Sequence, residues 1–222
     1  MKERPIIFTG ESVRAILEGR KTQTRRVMTL QPDSDGHVEV ANDCAYLFGE
    51  RGGQCTRIPC LYRIGDRLWV KEAFAVNAVY HVPYGIGRDQ KQDQVQWRAD
   101  KPQAKRYEEW VAGRDMWMPN ATWRTPLFMP RWASRITLEV TEVRVEQLQN
   151  ISNSDAVAEG VQRIDRSPYR LDGYGLPGWS KEDCCFYPRD AYAKLWNHIN
   201  GNTYPWDSNP WCWCVSFVLV KS

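Results

Sequence analysis

Regular hydrophobic periodicity in this chain comes only in short pieces, separated by long stretches rich in glycine, proline and charge. No helical pattern lasts more than about three turns, and the strand patterns do not alternate regularly with long helices. Short strands, a few small helices and large insertions fit a compact α+β protein, a mixed β-barrel, better than a parallel α/β sheet. The pieces can be placed. Ile6-Ile7-Phe8 is a short apolar run of strand type. Thr9 caps a helix with Glu11 in its first turn, Val13, Ile16 and Leu17 fall on one face, and Gly19 sits where a helix-ending glycine belongs. Ile64-Gly65-Asp66 is a turn ahead of a strand over 67–72. Ile136, Leu138 and Val140 alternate with polar residues, and the phase shifts to Val143 and Val145, which predicts a bulge near Thr141-Glu142. Ser152 to Asp155 resembles a capping box, with Gly160 ending the helix that follows. Tyr192, Leu195, Trp196 and Ile199 mark another amphipathic helix closed by Gly201, and Trp211, Trp213, Val215, Phe217 and Leu219 share one face of a final strand. The expected organisation is one domain over 1–222, with loop-rich insertions at about 31–60, 75–130 and 163–187.

Composition narrows the class. Hydrophobic content of 42% and charged content of 26% are those of an ordinary globular chain, and no apolar run approaches the roughly 18 residues that span a bilayer. No apolar signal region follows Met1-Lys2-Glu3-Arg4-Pro5, so a cytoplasmic protein is expected. The net charge of +3 does not mark a general nucleic-acid binder. The seven cysteines are odd in number and lack C-x-x-C spacing, so buried free thiols are expected rather than a disulfide framework. Zinc held by Cys44, Cys55 and Cys60 is the lesser reading, since structural zinc wants four ligands at tighter spacing. No metal and no cofactor are expected.

Positive charge is concentrated locally. Gly19-Arg20-Lys21-Thr22-Gln23-Thr24-Arg25-Arg26 places four cations and two hydroxyls in eight residues, just after the first helix. A threonine hydroxyl is a weak nucleophile until a base takes its proton, and a lysine whose affinity for its own proton is lowered by neighbouring cations can be that base. The competing reading is a solvated basic turn, because charge runs are usually surface.

These residues carry a resemblance. Ile16 through Arg26 resembles the signature of the ASCH family, a branch of the PUA-like β-barrels, whose usual pattern is G-x-K-x-x-E-x-R. Gly19, Lys21 and Arg26 match it, and Thr24 stands where most members have Glu. The small bacterial ASCH enzymes that hydrolyse N(4)-acetylcytidine also have Thr there, and their Gly-Asp-x-Leu-x-Val segment is similar to Gly65 through Val70. The resemblance implies Lys21 as proton acceptor, Thr24 as nucleophile toward the acetyl carbonyl, and Glu159 as proton donor to the leaving amine. Arg26 would stabilise the oxyanion. Taken whole, the chain looks most like the longer ASCH proteins of phages and prophages.

Further ligand contacts are assigned to Arg25, Trp69, Glu72, Arg131, Trp132 and Arg135. Arg131 and Arg135 flank Trp132 at strand spacing, so both would face one side of a sheet. Glu72 would hold an arginine of the basic octapeptide. Trp97, Trp117 and Trp123 are further stacking candidates. The expected partner is a modified nucleoside or RNA, with no membrane, and a protein partner is open to the insertions. The alternatives are a non-catalytic RNA-binding module, a ribonuclease on the same scaffold, and a phage structural or host-interaction protein.

Overall fold

The computed structural model describes residues 1–32, 36–41, 44–48, 55–76, 95–100, 123–165, 173–180 and 182–220. Most of the expected 75–130 insertion, with Trp117, lies outside the described residues. The chain divides into two compact units: Met1–Glu18, Arg67–Leu138 and Leu219–Ser222 form the first, and Gly19–Asp66 and Glu139–Val218 the second.

In the first unit, β1 (Glu3–Ile7) lies parallel to β6 (Arg67–Lys71), with Pro5 opposite Trp69. The Val70 amide donates to the Ile136 carbonyl just ahead of β9 (Thr137–Gln147). Helix α1 (Gly10–Leu17) follows β1, and the Thr9 hydroxyl accepts from the Ser12 amide as a cap. Val13 and Ile16 are buried, but Leu17 is exposed because the helix ends there and turns away at Gly19. Gly19 has φ 73°, a left-handed conformation that glycine adopts at little cost. β7 (Phe74–Val76) pairs with β8 (Val95–Trp97), and Phe74, Met129 and Ala133 pack beside Trp97.

The second unit holds β9, β12 (Trp211–Val220) and β2 (Gln23–Val27) as neighbours in that order. β12 and β2 are antiparallel, with Val215 opposite Thr24 and Cys214 opposite Arg25. β9 is one strand of eleven residues, and the phase break shows as two consecutive exposed residues, Thr141 and Glu142. Residues from Cys212 to Val215 are buried in succession, so β12 is covered on both faces rather than on one. Two helices complete this unit: α2 (Asn153–Ala158) and α3 (Pro188–Asn200). Tyr192, Leu195 and Trp196 of α3 pack with Leu148, Ile151, Ala156, Val161 and Cys212, each large side chain contributing about 1.5–3 kcal/mol of burial. Ile199 stays exposed, and Gly201 keeps a right-handed backbone. There, a Cβ would lie 2.4 Å from the Asn197 carbonyl oxygen, so the glycine supplies room rather than a turn of opposite hand.

Within 31–60 three strands form where loop was expected: β3 (His37–Ala41), β4 (Cys44–Phe48) and β5 (Cys55–Pro59), an antiparallel meander. Its period-two runs are short, and the surrounding glycines masked them. Likewise β10 (Gln162–Ile164) pairs with β11 (Gly173–Gly175) in the third insertion. Short helices with mixed parallel and antiparallel strands make the class α+β. Among the described residues, no pairing closes the strands into a ring. No helix there is long and apolar enough to cross a membrane.

Candidate active site

The octapeptide is not a solvated turn. Lys21, Gln23, Thr24 and Arg25 are all buried. Lys21 leaves the Gly19 turn and forms an isolated antiparallel bridge with Glu159, reinforced by the Thr22 amide donating to the Ala158 carbonyl. Ser152 accepts from the Asp155 amide to start α2, and Glu159 caps its end before Gly160 turns the chain at φ 104°. A β-bridge and a six-residue helix thus bring together two groups 138 positions apart.

Lys21 Nζ donates to Glu159 Oε2 at 2.6 Å and to the Glu159 carbonyl at 2.8 Å. Both side chains are almost completely enclosed, at 5% and 3% exposure. Burial pushes the lysine's affinity for its proton down, the Glu159 carboxylate pulls it back up, and Arg26 and Arg25 push it further down. The net direction is downward, which favours a neutral amine at a lower pH than for an exposed lysine. Glu159 Oε1 has no hydrogen-bond partner among the described residues and faces Arg25 Nη1 at 3.5 Å.

Arg25 reaches further. Its side chain is fully enclosed, and Nη2 lies 2.9 Å from Glu146 Oε2 and 3.4 Å from Asp155 Oδ2. Arg144 takes the remaining oxygens of the same carboxylates, Glu146 Oε1 at 2.6 Å and Asp155 Oδ1 at 2.9 Å. Burial works to raise both carboxyls, but Arg144 and Arg25, with the Ser152 hydroxyl at Asp155, hold them below their usual range. Turned as its neighbours require, the Gln23 amide accepts from Arg25 Nη1 at 2.6 Å and donates to Asp155 Oδ1 at 3.1 Å. Strand alternation puts Gln23 and Arg25 on one face of β2 and Thr24 and Arg26 on the other. No described hydrogen bond links the Thr24 hydroxyl to Lys21 or Glu159. Burial raises the Cys212 thiol to about 12 and Cys214 higher still, so both are unreactive thiols.

The other sequence candidates belong to the first unit and have partners of their own there. Glu72 is buried, and Arg135 grips it through Nε at 2.9 Å and Nη2 at 3.2 Å. The expected pairing of Glu72 with an arginine of the octapeptide is therefore corrected: Val70 bonds Ile136, and that register sets Glu72 beside Arg135. Arg135 also takes both oxygens of Asp100 at 2.8 Å and lies over the Trp97 ring, 4.6 Å from its centroid. The residues from Arg131 to Ala133 form a single tight helical turn, not a strand, so the expected strand spacing that would set Arg131 and Arg135 on one sheet face does not hold. Arg131 pairs with Glu3 at 2.6 Å and lies 5.8 Å from the Trp69 ring, while Trp132 is exposed.

No protein-family model matches this chain, and no curated protein matches it. Among solved structures it is similar to the crystal structure of protein EF3133 from Enterococcus faecalis V583, described under the family model DUF984. The match covers 99% of this chain and 80% of the other, at 11% identity and a TM-score of 0.37. Likeness at that level assigns neither a family nor a residue role.

Of the sequence candidates the structure brings Lys21, Arg25 and Glu159 together, while Thr24 lies on the other face of β2; Arg144, Glu146 and Asp155 were not among the candidates. The first two alternate on β9 and so share a face, a signal present in the sequence; Asp155 was visible only as a cap.

Proposed function

We propose that this chain is an ASCH-type, PUA-like hydrolase that cleaves an acyl group from the exocyclic nitrogen of a modified nucleoside such as N(4)-acetylcytidine. The observation that carries the reading is the enclosed contact between Lys21 and Glu159, a base and an acid held 2.6 Å apart. The neutral form of Lys21, which burial makes easier to reach, takes the Thr24 hydroxyl proton as the oxygen attacks the acyl carbonyl. The proton crosses to the Glu159 carboxylate, which delivers it to the nitrogen as the C–N bond breaks. Cytidine leaves, and water hydrolyses the acyl-threonine by the same relay, returning a proton to Thr24. Arg26, on the Thr24 face of β2, stabilises the oxyanion. The Lys21–Glu159 leg of the relay rests on this geometry, and the Thr24–Lys21 leg on the resemblance. The nucleophile rests on the resemblance of the octapeptide, and the mutant series separates the two.

A second class, the RNA-binding module, relies on arginines free to meet phosphate. Arg25 is instead committed to Glu146, Asp155 and Glu159, which weighs against that reading.

The test follows cytidine release from N(4)-acetylcytidine by the purified protein and by Lys21→Ala, Thr24→Ala and Glu159→Ala. Each variant is expected to lose about 10²–10⁴ in kcat. Wild-type turnover no faster than the Thr24→Ala background removes the hydrolase reading.

A further inference from the structure

Arg25 sits in a cluster of charged groups, Lys21, Arg25 and Arg144 against Glu146, Asp155 and Glu159, with Glu142 on Arg144 Nη1 at 3.3 Å at its edge. The arrangement is specific. Glu146 and Asp155 each offer one oxygen to Arg25 and the other to Arg144, so the two arginines clamp the two carboxylates from opposite sides. Gln23 closes the ring through Arg25 Nη1 and Asp155. A guanidinium held at so many points has little freedom to reach a ligand. Its one remaining approach within the cluster is Nη1 to Glu159 Oε1, the carboxylate oxygen that Lys21 does not use.

We propose that Arg25 is a positioning residue rather than a substrate contact: fixed by the Arg144–Glu146–Asp155 clamp, it divides the Glu159 carboxylate between itself and Lys21. It acts through Glu159 on the same pair that the proposed reaction uses, and rests on that reading only for its effect on rate. Two consequences have one sign. Arg25 competes with Lys21 for Glu159, and its charge opposes a second cation nearby. Both make Lys21 release its proton more easily. The other groups facing the pair are Arg26 on the same segment, Tyr192 from α3, and Cys212 and Cys214 from β12, while Arg20 donates to the Gly160 carbonyl at 3.4 Å. Tyr192, Cys212 and Cys214 all have their proton loss displaced upward by burial, so near neutral pH none adds charge. That leaves the arginines, the three carboxylates and Lys21 as the groups that decide the balance.

The measurement is the titration of Lys21 in the substrate-free protein, read from its side-chain Cε and Nζ resonances and assigned with Lys21→Met. It needs no substrate, so its failure is distinct from failure of the proposed reaction. Arg25→Gln is expected to move the midpoint up by about one pH unit, a tenfold change in the proton equilibrium. Arg25→Lys, which keeps the charge, moves the midpoint by no more than half as much. Arg144→Gln, which leaves Arg25 present but unclamped, moves the midpoint in the same direction by less. If Arg25→Gln does not fold, Arg144→Gln alone decides. Midpoints equal to wild type in the folded variants overturn the proposal, and a shift in Arg25→Gln with none in Arg144→Gln overturns the clamp. Loss of stability alone does not count for it, because a purely structural cluster would give that without moving Lys21.

Discussion

Replacing Glu159 by Gln keeps the shape of the site and removes one charge. Lys21 Nζ retains the Glu159 carbonyl at 2.8 Å and gains an amide oxygen in place of the carboxylate at 2.6 Å. What it loses is the countercharge, in a site where the lysine side chain is 5% exposed. Breaking a buried pair in this way costs about 3–5 kcal/mol, and the two surviving acceptors place the loss near 3 kcal/mol. For a chain of 222 residues that corresponds to roughly 6–12 °C in Tm at pH 7. The pH dependence is a stronger test than the size. Burial leaves Lys21 holding its proton less tightly in the folded chain than in the unfolded one, and the loss of Glu159 widens the difference. Between the folded and unfolded midpoints the unfolded state binds more protons, so stability rises with pH. The gap between wild type and Glu159→Gln should therefore narrow as pH rises from 7 toward 10. Adding Lys21→Met to Glu159→Gln should recover much of the loss, because no buried charge remains. Thermal melts of the three proteins at several pH values measure this. Equal Tm at pH 7, or a gap that widens with pH, would refute the buried pair.

Arg135→Ala leaves Glu72 enclosed without its two-point partner and should cost about 3–5 kcal/mol at pH 7. Burial raises the Glu72 carboxyl, so its folded form binds a proton more tightly than its unfolded form. The penalty should shrink as pH falls toward 5, and melts at the two pH values that show the same gap would contradict this. Cys212 and Cys214 should resist alkylation in the native protein at pH 8 and react in urea, read by peptide mass spectrometry; equal labelling in both conditions would place them at the surface. Gly19→Ala should lose about 1–2 kcal/mol through the left-handed backbone alone, since nothing lies within 4 Å of the added Cβ. An unchanged melting curve would mean the turn relaxes.

Several elements were legible in the chain because a local rule made them. Thr9 and Ser152 cap their helices, Gly19 and Gly160 end them, and alternation marked β9 and β12. The meander of β3 to β5 was hidden, since strands of five residues between glycines carry few repeats of the pattern. Glu159 was found by resemblance, but its grip on Lys21 needed the bridge between distant segments. The clamp around Arg25 could not be read locally. Glu146 and Arg144 alternate along β9, and only β2 supplies the buried arginine that gives them a role. Glu72 went to Arg135 because sheet register, which period-two patterns do not fix between distant strands, set them side by side.

The proposed acyl transfer would leave a covalent trace that can be sought directly. The protein is mixed with N(4)-acetylcytidine, quenched in acid within the first turnover and digested for mass spectrometry. One acetyl group on Thr24, absent from Thr24→Ala, is the expected result. Quenched protein that carries no acetyl group, or carries it on Lys21 instead, would contradict acyl transfer through Thr24.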